Sequence, residues 1–374
     1  MSSYIGVSSK ARKVAKAYIG VGNVARKISK MYIGDANGKA RLFYVFDSLD
    51  PHILMAVDSS GNIRYSSDNG ATWSTGSAAD RRLLGYSAAT KRWYGHAGSS
   101  SFSTIYYATT PNGIWTSSGI SGNSFTIVSD KYVLVGTLST NDVTVYNLDT
   151  GTSFSATTPF KVGGNRIATD GQGNFHTWNT TGYSDASFKV DVFDFTISSN
   201  AITVTAQYSY NRLYNRGNLS ESMAFWNGQN FVDIALTDSS SVCVGAGGGD
   251  YTIVYSGTRL HHVIMTSTYF IAFGSSNTLL YAYGNIETPT GAWTYNSSGA
   301  MPSALANASV GMIYDGKYFY AFDLYNSGYV YRTNDLTQAW TQITNFNLKA
   351  LSNQYVTFAI SSSYPFISNT WRKY

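Results

Sequence analysis

The stretch Asp315-Gly316-Lys317-Tyr318-Phe319-Tyr320-Ala321-Phe322 decides the fold, because its aromatic run keeps returning along the chain. The same kind of run stands at Ile53-Leu54-Met55-Ala56-Val57, Trp93-Tyr94-Gly95, Tyr132-Val133-Leu134-Val135-Gly136 and Phe175-His176-Thr177-Trp178. It returns at Phe231-Val232-Asp233-Ile234-Ala235, Tyr269-Phe270-Ile271-Ala272-Phe273 and Tyr355-Val356-Thr357-Phe358-Ala359. The steps are 40, 39, 43, 56, 38, 49 and 37 residues. A period of about 43 residues suits a four-stranded propeller blade. Each blade packs both faces of its sheet on neighbours, so its inner strands should be apolar on both sides. Turn residues such as Asp315-Gly316-Lys317, Asn227-Gly228-Gln229 and Asp130-Lys131 precede the runs. Eight recurrences predict seven or eight four-stranded blades over residues 45–374, with seven if the first and last runs share a blade.

Composition agrees with an all-β chain. Charged residues make up 13% of the 374 positions, about half the usual share of roughly 25%. With 30 Tyr, 19 Phe and 8 Trp, the chain is too aromatic and too weakly charged to be disordered. Cys243 is the sole cysteine, so an intramolecular disulfide is excluded, and its Ser-Val-Cys-Val-Gly context reads as a strand interior. No apolar signal segment follows Met1 and no run of 18 apolar residues occurs. Synthesis in a cytoplasm, without Sec export or membrane insertion, is the expectation.

Residues 1–44 repeat with a shorter period. Tyr4-Ile5-Gly6-Val7 returns as Tyr18-Ile19-Gly20-Val21 and Tyr32-Ile33-Gly34-Asp35, 14 residues apart each time. Ala11-Arg12-Lys13-Val14, Ala25-Arg26-Lys27-Ile28 and Ala40-Arg41-Leu42-Phe43 lie between. Gly22-Asn23 and Asn37-Gly38 suit tight hairpin turns, so each unit reads as a short β-hairpin. This arm carries nine basic side chains and one acid, a net +8 against +5 for the whole chain, which leaves −3 on the remainder. Such charge fits an anionic surface; it also fits solvated strand faces that resist edge-to-edge pairing. Nucleic acid is not expected as a partner, because the segment is metronomic and does not interleave readout groups with charge.

These repeats resemble the N-terminal repeats of tail-associated proteins from phages and prophages of Gram-positive bacteria. The resemblance covers about 44 of the 374 residues. It implies a virion setting in which residues 1–44 attach the chain to other tail or virion proteins, or hold a homo-oligomer such as a trimer. Ser66-Ser67-Asp68-Asn69-Gly70-Ala71-Thr72-Trp73 in turn matches the Asp-box pattern of sialidase-like propellers at every fixed position. Degenerate copies are Thr333-Asn334-Asp335 with Trp340, Thr110-Pro111-Asn112-Gly113 with Trp115, and Glu287-Thr288-Pro289-Thr290-Gly291 with Trp293. In that family the box is structural and lies between the third and fourth strands. Ser66, Asp68, Gly70, Thr72 and Trp73, with Thr333, Asp335 and Trp340, are therefore read as turn-builders.

An Asp-box invites a sialidase reading, and the residues argue against it. Only Glu221 and Glu287 are glutamates, and the Arg-Ile-Pro signature is replaced by Asn165-Arg166-Ile167-Ala168. Glu221 with Arg166, Arg212 and Arg216 nearby in sequence reads as surface charge. The 19 Asp show no pair with glycosidase-like spacing. His52, His96, His176, His261 and His262 have no ligand spacing, and Gly247-Gly248-Gly249-Asp250 lacks the lysine of a phosphate loop. No catalytic, metal or cofactor site is expected. A ligand is expected on the face that carries the links between blades and the loops between second and third strands. That face is assigned His96 to Ser101, Thr137 to Asp142, Trp178 to Ser187, Asp238 to Ser240, Asp323 to Gly328 and the long link from Tyr208 to Ser220. Tyr, Asn, Ser and Gly give such surfaces rigid aromatic area with adaptable hydrogen bonding. Tyr208, Tyr210, Arg212, Tyr214 and Arg216, with Trp178 and Tyr183, are the candidate contacts; the alternative is that the rings plug gaps between blades. The expected function is a tail protein, of receptor-binding or tail-fibre type, that recognises a host-surface glycan or protein. The alternative is a glycan-cleaving tail enzyme, sialidase-like or another glycosidase, on the same propeller.

Overall fold

The computed structural model describes residues 4–7, 10–13, 17–21, 24–28, 30–34, 40–45, 53–77, 82–87, 90–96, 103–122, 124–128, 132–136, 141–160, 167–170, 173–184, 187–198, 200–211, 219–237, 240–246, 251–260, 262–266, 268–275, 279–305, 310–323, 328–348 and 358–360. The chain divides into two compact units, Met1–Pro51 and His52–Tyr374. The first holds three two-stranded hairpins: Tyr4–Val7 with Lys10–Lys13, Ala17–Val21 with Val24–Ile28, and Lys30–Gly34 with Ala40–Val45. Their register repeats with the sequence, since Ile5 faces Arg12, Ile19 faces Arg26 and Ile33 faces Arg41.

The second unit is a seven-bladed β-propeller, built from seven four-stranded antiparallel sheets. Blade 1 joins the two ends of this unit: Phe358–Ile360 is its innermost strand, followed outward by Leu54–Val57, Ile63–Ser66 and Ser74–Thr75. Blades 2 to 7 follow in order and span 82–122, 124–157, 168–211, 219–256, 262–299 and 310–342. The first and eighth aromatic runs are thus two strands of one blade, which fixes the count at seven. One 3-10 turn, Ser303–Leu305, is the only helix among the described residues.

Alternation along the second strands explains why they are apolar throughout. Leu54 and Ala56 pack towards blade 7, while Met55 and Val57 pack towards blade 2. Tyr320 and Phe322 pack towards blade 1, and Phe319 and Ala321 towards blade 6. Successive side chains on a strand point to opposite faces, and here each face meets a different neighbour. The buried core falls into seven clusters, one for each pair of adjacent blades. An open row of seven sheets has only six such interfaces, so the seventh, between blades 7 and 1, closes the ring.

In blades 1, 6 and 7 the turn between the third and fourth strands staples the blade to the one before. In blade 1 the Asp68 carboxylate accepts hydrogen bonds from the Thr72 amide at 2.9 Å and the Thr72 hydroxyl at 2.6 Å. Those bonds, led by the Thr72 hydroxyl, hold its carboxyl at about 2. Ser66 Oγ donates to Asp68 and accepts from the Gly70 amide. The Trp73 indole then donates to the Ile343 carbonyl of blade 7, and its ring meets Phe346 edge-on at 5.2 Å. Blade 7 repeats the device: the Thr337 amide donates to Asp335 at 2.9 Å, and Trp340 donates to the Ala300 carbonyl beyond the outer strand of blade 6 at 2.8 Å. The Trp293 amide of blade 6 reaches the Val254 carbonyl of blade 5 at 3.0 Å. Asp68 and Asp335 are engaged in their own turns.

Gly70 makes the first staple possible. Its φ is +86°, and a Cβ there would lie 2.8 Å from Ile343 Cβ. Gly70→Ala should cost about 2–4 kcal/mol, from left-handed backbone strain and overpacking. Gly151, at φ +71° with nothing within 4 Å of an added Cβ, supplies the control: Gly151→Ala should cost only the backbone part, about 1–2 kcal/mol. Urea midpoints of the two variants check this; equal shifts would mean that Gly70 does not abut blade 7.

Candidate functional site

Blade 4 departs from its neighbours. Its second and third strands, Asn174–Ser184 and Ser187–Ile197, are 11 residues long, and its outermost strand, Ile202–Asn211, has 10. Second and third strands elsewhere run to at most 7 residues. Four extra residues add about 13 Å at the rise of a strand. The antiparallel order places Ser184, Ser187 and Asn211, the ends of these strands, on the face of the links between blades. Three paired strands of blade 4 are therefore longer than their counterparts among the described residues, with Val190 opposite both Thr180 and Tyr210.

This changes two readings of the sequence. The segment from Trp178 to Ser187 was expected as a loop and is a β-hairpin. Of the link from Tyr208 to Ser220, Tyr208 to Asn211 belong to the outer strand of blade 4, and Leu219 and Ser220 to the first strand of blade 5.

Tyr183 and Tyr210 both lie on the extension, Tyr183 next to the end of its strand and Tyr210 opposite Val190. Arg212, Tyr214 and Arg216 fall outside the described residues. Trp178 requires a correction as a ligand contact. It is fully buried with Val192, Ala235 and Cys243 between blades 4 and 5, so its indole is core. Tyr208 is half-buried and packs on the same cluster; it fills the gap between blades. Register explains both, since Trp178, Val192 and Tyr208 form one cross-strand row. Two positions further along each strand the pairing continues through Thr180, Val190 and Tyr210.

One polar cluster was not legible in the sequence. Two positions before Trp178 on the same face, His176 bridges two carboxylates. Its Nδ1 is 2.6 Å from Asp194 Oδ1 on the third strand of blade 4, and its Nε2 is 2.9 Å from Asp233 Oδ1 on the second strand of blade 5. His176 and Asp233 are buried, while the Asp194 side chain keeps 28% exposure. Phe231 stacks on the imidazole at 4.8 Å and 15°. Small residues make the room: Ala168 lies opposite His176, and Ala224 and Gly245 lie opposite Asp233. Burial pulls the imidazole pKa down, but the two carboxylates, Asp233 foremost, outweigh it and hold the ring at about 9. The available signal was a charge set in each of three apolar strands: Phe175-His176, Phe193-Asp194-Phe195 and Val232-Asp233-Ile234. Nothing in the sequence pairs positions 18 and 57 residues apart.

Among the described residues no group of three or more His, Cys, Asp or Glu is arranged to hold a metal ion. No family model and no curated protein matches the chain. Among solved structures it is similar to TolB from Acinetobacter baumannii, at 10% identity and a TM-score of 0.43, covering 84% of this chain and 83% of that one. It is similar to a functionally unknown protein from Desulfotomaculum acetoxidans DSM 771, at 7% identity and a TM-score of 0.49, covering 83% and 99%. It is also similar to the dihydro-heme d1 dehydrogenase NirN, at 10% identity and a TM-score of 0.45, covering 88% and 79%. No function carries over at this level of similarity.

Proposed function

We propose that the chain is a tail-associated phage protein that recognises a host-surface glycan or protein. The hairpin repeats of residues 1–44 would join it to the particle or to further copies of itself. The observation that carries this reading is the extension of blade 4: three long paired strands that bear Tyr183 and Tyr210. Tyrosine rings offer flat apolar area with a polar tip, which suits contact with sugar rings and protein surfaces alike. The hairpins support the attachment role by repeating one cross-strand register three times, as a modular arm would.

Adsorption of the labelled full chain to host cells tests recognition. The double variant Tyr183→Ala/Tyr210→Ala should lose at least about tenfold in affinity, the effect of one or two interface anchors, with its unfolding transition unchanged. Wild-type adsorption by the folded variant would remove the extension from the proposal. Assaying the same mixtures for released sugar tests the glycan-cleaving alternative.

A further inference from the structure

We propose that Asp194, His176 and Asp233 form a charge clasp that locks blade 4 onto blade 5, closed while the imidazole is protonated and loosened when it is not. The two contacts need two protons between them, and with both carboxylates ionised the ring must supply both. Both ring nitrogens face carboxylate oxygens, at 2.6 and 2.9 Å, and a neutral imidazole has one N–H to offer. Loss of the proton would set a nitrogen lone pair against a carboxylate at a buried ring. It would also leave Asp233, which is 0% exposed, without its counter-charge, and a buried charge that loses its partner is strongly destabilising. Asp194 and Asp233 are the titratable groups that meet the ring among the described residues, and Phe231 covers one of its faces.

The direction of the pH effect follows. The imidazole is raised from its usual 6.5 to about 9. Its contribution to folding is therefore complete below about pH 6.5 and fades as pH climbs through about 9. The clasp seats the blade that carries the extension, and this holds whatever the extension binds.

The chain contains its own reporter. Cys243, the only cysteine, is fully buried in the cluster between blades 4 and 5, with Trp178. Labelling of its thiol by an aromatic disulfide reagent in the full chain measures opening of that interface. Rates are corrected for thiol ionisation with a model thiol. Between pH 7 and pH 10 the corrected wild-type rate should rise at least about tenfold. His176→Gln should label at least about tenfold faster than wild type at pH 7, and its corrected rate should then stay level. Asp194→Asn, at the partly exposed end, should fold normally and shift the opening to lower pH, so it carries the test if His176→Gln does not fold. A flat corrected wild-type rate from pH 7 to pH 10, or wild-type behaviour in Asp194→Asn, overturns the clasp. Adsorption plays no part in these readouts, so their failure is separate from failure of the recognition role.

Discussion

Truncation after Leu348, which removes Phe358–Ile360, should abolish cooperative folding of the propeller unit. That strand pairs through Phe358 with Ala56, Ala359 with Met55 and Ile360 with Leu54. Its loss turns the second strand of blade 1 into an inner edge. Leu54, Met55, Ala56 and Val57 are now at most 1% exposed. Uncovering two such large side chains costs about 3–6 kcal/mol, against a total stability of roughly 5–15 kcal/mol for a folded domain. The staples between blades 7 and 1, from Trp73 to Ile343 and from the Ser59 amide to the Asn347 carbonyl at 2.9 Å, would have to hold the ring without its inner seam. Urea unfolding followed by fluorescence should show an early, broad transition and a reduced slope. A sharp transition at the wild-type midpoint would mean that the terminal strand is dispensable.

Trp178→Ala should cost about 3–5 kcal/mol, the range for large-to-small changes of a buried aromatic residue. The indole is 0% exposed and fills the interface between blades 4 and 5 with Val192, Ala235 and Cys243. An exposed ligand contact would behave otherwise, since surface substitutions stay within about 0.5 kcal/mol. The chemical denaturation midpoint of the folded variant therefore separates the two roles. Full stability with lost adsorption would restore Trp178 to the recognition surface.

The ring could be read from residue type because its demand is local. Every second strand must be apolar on both faces, and that demand leaves the aromatic runs at forty-odd residue steps. The Ser66–Trp73 turn was legible for the same reason, since Asp68, Gly70 and Thr72 act within a few positions of one another. What depended on partners far apart was hidden. The blade count was legible only as seven or eight: seven was expected if the first and last runs share a blade, and Leu54–Val57 and Phe358–Ile360 do share a sheet, but no pattern in either run names the other. Much of the 56-residue step after Phe175 was assigned to the link from Tyr208 to Ser220, whereas long strands of blade 4 take part of it. The Thr, Asn, Ser and Tyr composition of the ends of these strands imitates a loop. Trp178 was misplaced with it, because the level at which the hairpin leaves the core is set by packing against Ala235 and Cys243. The clasp was hidden twice over: His176 has no ligand spacing, and Asp233 belongs to the next blade.

Closure of the ring is tested most directly by a cysteine pair at Met55 and Ala359 in a Cys243→Ser background. The two residues are antiparallel partners, and such pairs lie about 4.5–5.5 Å apart at Cα, within disulfide range. Mild oxidation should give an intramolecular cross-link at unchanged hydrodynamic size, with a raised unfolding midpoint. Cross-links only between molecules, or two thiols that stay free in the folded chain, would show that the terminal strand does not close this ring.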